Sequence, residues 1–568
     1  MITARPIPTG RRPRVRRILL ALLALILGLT ACGRIPTDGQ VYHYAEGETS
    51  SATPTPAYSP AGPREGDDPE QILRGFFEAG TGVEDDYAVA RSFLTRDLAA
   101  SWSPEDETWV YRDGITVEGD GGQDRLRAEI PVATHVDDRG IATSYDEPDT
   151  RTLHVGFTRV DGQWRISSIP NGTALTRTQF ERLFRSFSLY FYDPTYTYAV
   201  PDIRWFVSRP TVATSLVRVL LQGPAPYLTG AVVSPIPAGT SLQRASVPVD
   251  GGVAQVGLTG GEISKAGQLT LERMHSQLRQ TLSGITAISD AAISIDDKKI
   301  DVGQVSDYRE PQKDPQVGEQ QVGVREDELV SYAPDQVRAI SDLQAPLSAP
   351  RQPGTDPSRS VYAYLDEDRG HLGVRAKNGT ALDLDLPGRL TRPSIDFRRW
   401  VWTASADGTV HAVLGDRDGQ QPRTVTADWL RGQSVSSLRI SRDGTRALVV
   451  TGEGSAARLW VAVVVREENG APTRLLDPLR VSTTVHPAQA RWISDSAAVI
   501  ADTAGDGVEV MHLTGRSDQL DGLSGIEAIS GGDGVQSVYA QTSSDVYRLS
   551  GASWSRVETA VRDLAYPG

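Results

Sequence analysis

Apolar and polar positions change their period several times along the chain, and each change marks a boundary. Ile18 to Leu29 are apolar almost without interruption, directly behind Arg11, Arg12, Arg14, Arg16 and Arg17. That run is shorter than the roughly 20 residues of a membrane-spanning helix and has the length of a signal-peptide core. Residues 33–67 have no hydrophobic period, and their Gly, Pro, Ser, Thr and Glu, including Thr53-Pro54-Thr55-Pro56, read as a solvated linker. A helix is expected from Asp68-Pro69-Glu70-Gln71, an N-cap acceptor with Pro at the first helical position, followed by Ile72, Leu73, Phe76 and Phe77. Tyr87, Ala90, Phe93 and Leu94 repeat the helical spacing. Beyond Trp102 the period falls to two, in Ile115 and Val117, Leu126 to Val132, Leu153 to Phe157 and Trp164 to Ile169. Helices followed by a curved antiparallel sheet imply an α+β unit over 68–175, similar to the NTF2 and cystatin folds. Such cones often hold a pocket, which His135 and His154 could line, although solvated histidines are the commoner outcome.

A second α+β unit is expected over 183–303. It opens with the aromatic strand Phe187 to Tyr192, closed by Asp193-Pro194, and continues with a helix carrying Val212, Leu216, Val219 and Leu220 up to Gly223-Pro224. A hairpin follows around Asp250-Gly251-Gly252, then an amphipathic helix on Leu271, Met274, Leu278 and Leu282, then a hairpin turning at Asp296-Asp297. Residues 304–328 are polar, contain Pro311 and Pro315, and read as a linker that proteases should cut first. From 329 to 568 short apolar runs alternate with turns at Arg369-Gly370, Asn378-Gly379, Asp407-Gly408, Asp443-Gly444 and Asp506-Gly507. At about 40 to 45 residues per blade this length suits an all-β propeller of five or six blades, with a pair of β-sandwiches as the alternative. Ile440-Ser441-Arg442-Asp443-Gly444 resembles the inter-strand turn of WD-like propellers, and Arg491-Trp492-Ile493-Ser494-Asp495 looks like a degenerate copy.

Cysteine usage decides the compartment. Cys32 is the only cysteine in 568 residues, so no intramolecular disulfide exists. Its setting, Leu29-Thr30-Ala31-Cys32 behind the apolar run, resembles the lipobox of bacterial lipoproteins. The resemblance implies a signal peptide over 1–31 and cleavage before Cys32. It also implies a diacylglyceryl thioether on the thiol, acylation of the freed amine, and lipid anchoring on the outer face of the cell membrane. An ordinary secreted protein cleaved nearby is the competing reading. The net charge of −14 becomes more acidic still once the six arginines before Cys32 are removed. Nucleic acid is thereby excluded as a partner.

Two family resemblances follow. Leu216 to Leu221, Gln222-Gly223-Pro224, Ile236-Pro237 and Gly239-Thr240 resemble the GerMN domain of sporulation and germination proteins. An aspartate often follows the second hairpin arm in that family, where this chain has Gly257-Leu258. Asp68-Pro69-Glu70-Gln71-Ile72 through Gly75-Phe76-Phe77, with Ala90-Arg91-Ser92-Phe93-Leu94-Thr95, resemble the first domain of the LpqB lipoproteins of actinobacteria. The order of modules behind a lipobox is similar too. That resemblance implies an accessory lipoprotein of the MtrA/MtrB two-component system, whose partner is the extracytoplasmic domain of the sensor histidine kinase MtrB.

The residues carry no recognisable catalytic pattern. There is no Gly-x-Ser-x-Gly elbow, no His-Glu-x-x-His helix and no phosphate loop, and none of the five lysines lies three residues after a serine. The eight histidines are scattered without metal-ligand spacing, and acidic turns such as those at Asp443 and Asp506 lack the alternating ligands of a calcium loop. No enzyme activity, cofactor or metal is expected. Binding through exposed aromatic anchors is expected instead, with Trp400, Trp402 and Trp460 as candidates and blade packing as their competing role. The alternative function is recognition or hydrolysis of envelope glycan or peptide in a propeller pocket.

Overall fold

A computed structural model describes residues 60–568 except Gln304. The expected signal peptide over 1–31, Cys32 and most of the expected linker over 32–67 lie outside the described residues. The first helix among the described residues, α1 (Pro69–Ala79), starts as its sequence dictates. Asp68 accepts from the Gln71 backbone amide while the Gln71 side chain accepts from that of Asp68. With α2 (Ala88–Ser92) and α3 (Arg96–Ser101) it buries Ile72, Leu73, Phe76, Phe93 and Trp102. Their cover is one face of a six-stranded sheet, supplied by alternate residues such as Ala128, Ile130 and Val132. The sheet order is Gln163–Ser168, Ala142–Val160, Arg125–Asp137, Glu107–Tyr111, Thr173–Thr176, with Thr116–Gly122 beside Arg125–Asp137. The two histidines do not meet. His154 is exposed and paired with Asp120, whereas His135 stands 3.9 Å from Glu107.

A short helix not anticipated from sequence, α4 (Arg177–Leu183), leads into the second domain, held by a capping box between Thr176 and Gln179. There α5 (Val212–Gln222) and α6 (Gln268–Leu282) pack with a five-stranded sheet around Leu216, Leu220, Val256, Met274, Leu278 and Ile293. The expected hairpins form, Val249–Asp250 with Val253–Thr259 and Asp290–Ile295 with Lys298–Lys299, and Val253–Thr259 pairs in parallel with Asp290–Ile295. The aromatic strand Phe184–Tyr192 has a partner that the apolar pattern hides, Ala199–Val207. Asp202 and Arg204 interrupt that strand's apolar run, yet both are fully buried as a two-pronged ion pair of 2.8 Å contacts.

The third domain is a six-bladed propeller of four-stranded antiparallel sheets. Its first blade takes Gln321–Arg325, Glu328–Ala333 and Gln336–Ala339 from the start of the domain and Arg562–Ala565 from its end. The inner strands Arg562–Ala565, Arg351–Thr355, Ser394–Ile395, Val435–Ile440, Gln489–Trp492 and Ala528–Gly531 neighbour one another in a closed ring. Two boundaries are corrected. The propeller begins at Gln321 rather than 329, because the short run Gln321-Val322-Gly323-Val324 is a buried strand whose polar flanks obscure it. The proposed linker over 304–328 is accordingly not a free crossover. Gln312 pairs with Thr197 and Ala199, Pro311 accepts from the Gln280 side chain, and Val317 donates to Asp533. Residues 305–310 are largely exposed, whereas the exposed stretch 318–320 is held by the Gly318 amide on Asp533 and by Arg359 on the Gln320 carbonyl. Limited proteolysis is therefore expected to cut within 300–310 and to spare 311–328; first cleavage after Lys313 would contradict the packing described.

The three domains share contacts rather than hanging on tethers. In the turn Asp138-Arg139-Gly140 of the first domain, the carbonyls of Arg139 and Gly140 accept from Arg204 Nη1 and the Trp205 amide at 2.8 Å each. A Cβ at Gly140 would stand 2.7 Å from the Trp205 carbonyl oxygen, and its φ of +76° also favours glycine. Arg139 in turn donates to the carbonyls of Gly223 and Pro224, and Asp202 accepts from the Ala225 amide. The Gln222-Gly223-Pro224 signature thus sits on the buried ion pair. The second domain meets the propeller on the turns that join each inner strand to the next. Tyr198 packs edge-on against Phe397 with centroids 4.8 Å apart, Asp495 donates its amide to Asp314, and Val463 and Val465 join the second domain's core.

Candidate functional site

Trp402 is fully buried, with Nε1 donating to Asp396 Oδ2 at 2.9 Å, and Trp400 is only 8% exposed. Two residues apart on one strand, they face the same way, into the core of the third and fourth blades. The expectation that they anchor a partner is overturned by that burial. Trp460 is half-buried, bonded through Nε1 to Thr451 and tilted against Trp429 at 5.8 Å, so of the three it alone offers part of a ring to a surface.

Asp443 shows what the acidic turns do. Its carboxylate accepts from Ser441 Oγ, from the Thr445 amide and Oγ1, and from the Arg446 guanidinium. Burial alone would raise its pKa, but Arg446 and these hydrogen bonds outweigh burial and hold the carboxyl below the usual range. Asp356, Asp366 and Asp396 gather backbone amides of their own turns in the same way. The carboxylate oxygens are spent on the turn, and among the described residues no group of three or more His, Cys, Asp or Glu is placed to hold a metal ion.

The cavity with the most chemistry is the propeller channel, about 410 Å³ in volume. Arg392, Arg439 and Arg491 line it, standing at or beside the inner strands of the third, fourth and fifth blades. None forms an ion pair; their partners are neutral. Arg392 donates to the carbonyls of Pro353, Asp563 and Leu564, Arg439 to that of Pro393, and Arg491 to Ser437, Gln489 and the carbonyl of Ala490. Arg392 Nη1 and Arg439 Nε have no partner at all. Burial, and then the neighbouring guanidiniums, push the pKa of Arg439 and Arg491 well below the ordinary value; burial brings Arg392 down to about 10, with Asp563 acting the other way. Sequence reasoning missed these residues. Their signal was present, a lone arginine inside an otherwise apolar inner strand, as in Leu438-Arg439-Ile440 and Ala490-Arg491-Trp492.

The turns on the second-domain side carry Phe397, Gly444, Asp495 and Asp533, and a separate small cavity of about 20 Å³ beside Arg439 and Arg491 is lined by Tyr566, Pro567 and Gly568. The wide mouth of the channel is bordered by Gly452 to Gly454, His486 to Ala488 and Asp502 to Ala504, which belong to the opposite set of loops.

Three known sequence families match consecutive parts of the chain. The family described as the N-terminal domain of lipoprotein LpqB covers residues 62–181, that of sporulation and spore germination 188–301, and that of the lipoprotein LpqB beta-propeller domain 327–567. The chain belongs to the LpqB lipoprotein family. Relatives named lipoprotein LpqB include one from Nocardia farcinica, 26% identical with 85% of this chain and 84% of the relative covered. Another from Streptomyces avermitilis is 25% identical, with 98% of this chain and 99% of the relative covered. Among solved structures, the chain is similar to a virginiamycin B lyase from Staphylococcus aureus at a TM-score of 0.31 and 11% identity, covering 44% of this chain and 87% of that one. It is also similar to a chain of a nidogen/laminin complex at a TM-score of 0.33 and 13% identity, covering 44% and 97%. Membership of the LpqB family accounts for the order of the three domains, and the shared contacts described above show how that order becomes one body.

Proposed function

We propose that the protein is a lipid-anchored accessory factor that works outside the cell membrane by binding the extracytoplasmic domain of a sensor kinase of the MtrB type, with no reaction of its own. The observation that carries this reading is the match of the first and third domains to the two families named for lipoprotein LpqB, with relatives of that name spanning most of the chain, in a sequence whose lipobox-like segment ends at Cys32. Two acyl chains or more hold a protein stably at a bilayer, and anchoring both partners on one face raises their effective concentration without any added contact. Weak complementarity then suffices. The second domain occupies one end of the propeller, so the kinase would meet the opposite end or the blade flanks.

The test is made in living cells with the full chain. Cys32→Ala is expected to give an unlipidated, uncleaved precursor that no longer labels with palmitate and to change phosphorylation of the cognate response regulator. In wild-type cells, crosslinking followed by mass spectrometry should connect the propeller to the kinase ectodomain. Unchanged phosphorylation together with no crosslink to the kinase, both proteins being present at normal levels, would sink the signalling reading.

A further inference from the structure

We propose that the propeller channel is a binding site for a phosphate-type dianion, inorganic phosphate or the phosphate group of a small phosphomonoester, held by Arg392, Arg439 and Arg491. The site does not depend on the kinase reading. Arg392 and Arg439 are 6% and 4% exposed, yet each keeps an unpartnered nitrogen while lining the cavity. A buried guanidinium without a counter-charge is costly, and three of them sharing one channel repel one another as well. Proteins keep such clusters where a ligand completes them. Guanidinium forks match the oxygens of a phosphate in geometry, and the dianion would supply by charge-assisted hydrogen bonds the counter-charge that the cluster lacks.

Charge selects among anions. A monocarboxylate would neutralise one guanidinium and leave two, whereas a phosphate dianion covers most of the cluster. Arg369, whose Nε also lacks a partner, stands further out on the loop Asp366 to Gly370 and adds a fourth cation toward the mouth. The rim is of the other sign. Glu453 and Glu527 are exposed, and Asp502 is held by the amides of Ala504 and Gly505. Positive depth behind an acidic rim turns away extended polyanions and admits a ligand with one terminal anionic group and a neutral or hydroxylated remainder. The volume of about 410 Å³ suits a phosphate bearing something of the size of a monosaccharide.

The experiment uses the purified chain from Cys32 onward without its lipid, at constant ionic strength and neutral pH. Probes are inorganic phosphate, glucose 6-phosphate, glucose and acetate, read by titration calorimetry and by thermal denaturation. Phosphate or glucose 6-phosphate should bind with a Kd at or below about 1 mM and raise the melting temperature, while glucose and acetate do neither. Tighter binding of glucose 6-phosphate than of phosphate assigns the site to a phosphomonoester; equal binding assigns it to the free ion. Arg439→Gln should melt no lower than wild type without phosphate, since it removes a buried uncompensated charge, and should weaken binding at least roughly tenfold. Arg548→Gln, away from the channel, should bind as wild type does. Failure of both phosphates to bind, or binding that survives in Arg439→Gln and Arg491→Gln folded to the wild-type melting temperature, overturns the proposal. Preference for acetate would overturn the phosphate assignment.

Discussion

Asp443→Ala is expected to cost about 3–5 kcal/mol, among the largest single-residue losses in the molecule, because it takes from the buried Arg446 the one carboxylate in direct contact with it. The side chains of Arg446 and Asp443 are 0% and 1% exposed, and Arg446 Nε and Nη1 have no other partner to turn to. The same carboxylate also closes the turn Ser441 to Arg446 at the contact with the second domain. Calorimetry should show the propeller transition displaced to lower temperature. The double variant Asp443→Ala/Arg446→Met should recover much of the loss, since it removes both charges instead of stranding one. If the double variant is as unstable as the single one, the damage comes from lost turn geometry and the electrostatic account is wrong.

Asp495→Asn should do the opposite and stabilise the protein at neutral pH. Burial first, then the nearby Asp314 carboxylate, raise the Asp495 pKa from 3.8 to about 6, against the pull of Arg446. A folded-state pKa above the unfolded one favours the protonated form, so the contribution is fully present below about pH 4 and is lost as pH rises through about 6. Above that range the charge opposes folding by on the order of 3 kcal/mol. Asparagine keeps a similar shape without the charge. Its melting temperature should exceed the wild-type value at pH 7.5, and the two should converge near pH 4. A difference independent of pH would mean that the Asp314 and Asp495 pair does not titrate as described.

Much of the fold could be read from particular residues. Asp68, Pro69 and Gln71 announce the first helix, and the Gly-containing turns from Arg369-Gly370 to Asp506-Gly507 announce blades. What stayed hidden was hidden by charge. The strand Ala199–Val207 carries Asp202 and Arg204, each of which argues alone for solvent; they are buried only because they cancel each other, a relation visible in space. Gln321–Arg325 escaped notice because its partner strand Arg562–Ala565 lies more than two hundred residues away. The tryptophans on Trp400–Ala404 failed as surface candidates for a related reason. In a propeller both faces of a blade are covered by neighbouring blades, so a strand buried on both sides gives no alternation by which to tell inward from outward. The channel arginines were legible only as anomalies in apolar strands.

The shared first blade has a consequence for how the chain comes into being. Synthesis delivers Gln321–Arg325 long before Arg562–Ala565, so through the making of five further blades one edge of that sheet waits with unpaired amides and carbonyls. The two N-terminal domains can complete themselves early, but the ring is finished only by its last few residues. Closing so long a loop is slow relative to local pairing. For that interval the nascent protein is a nearly finished body with one adhesive edge, and the unpaired edges of neighbouring copies are the strands most available to it. A nonsense codon ahead of Arg562 would make that transient state permanent.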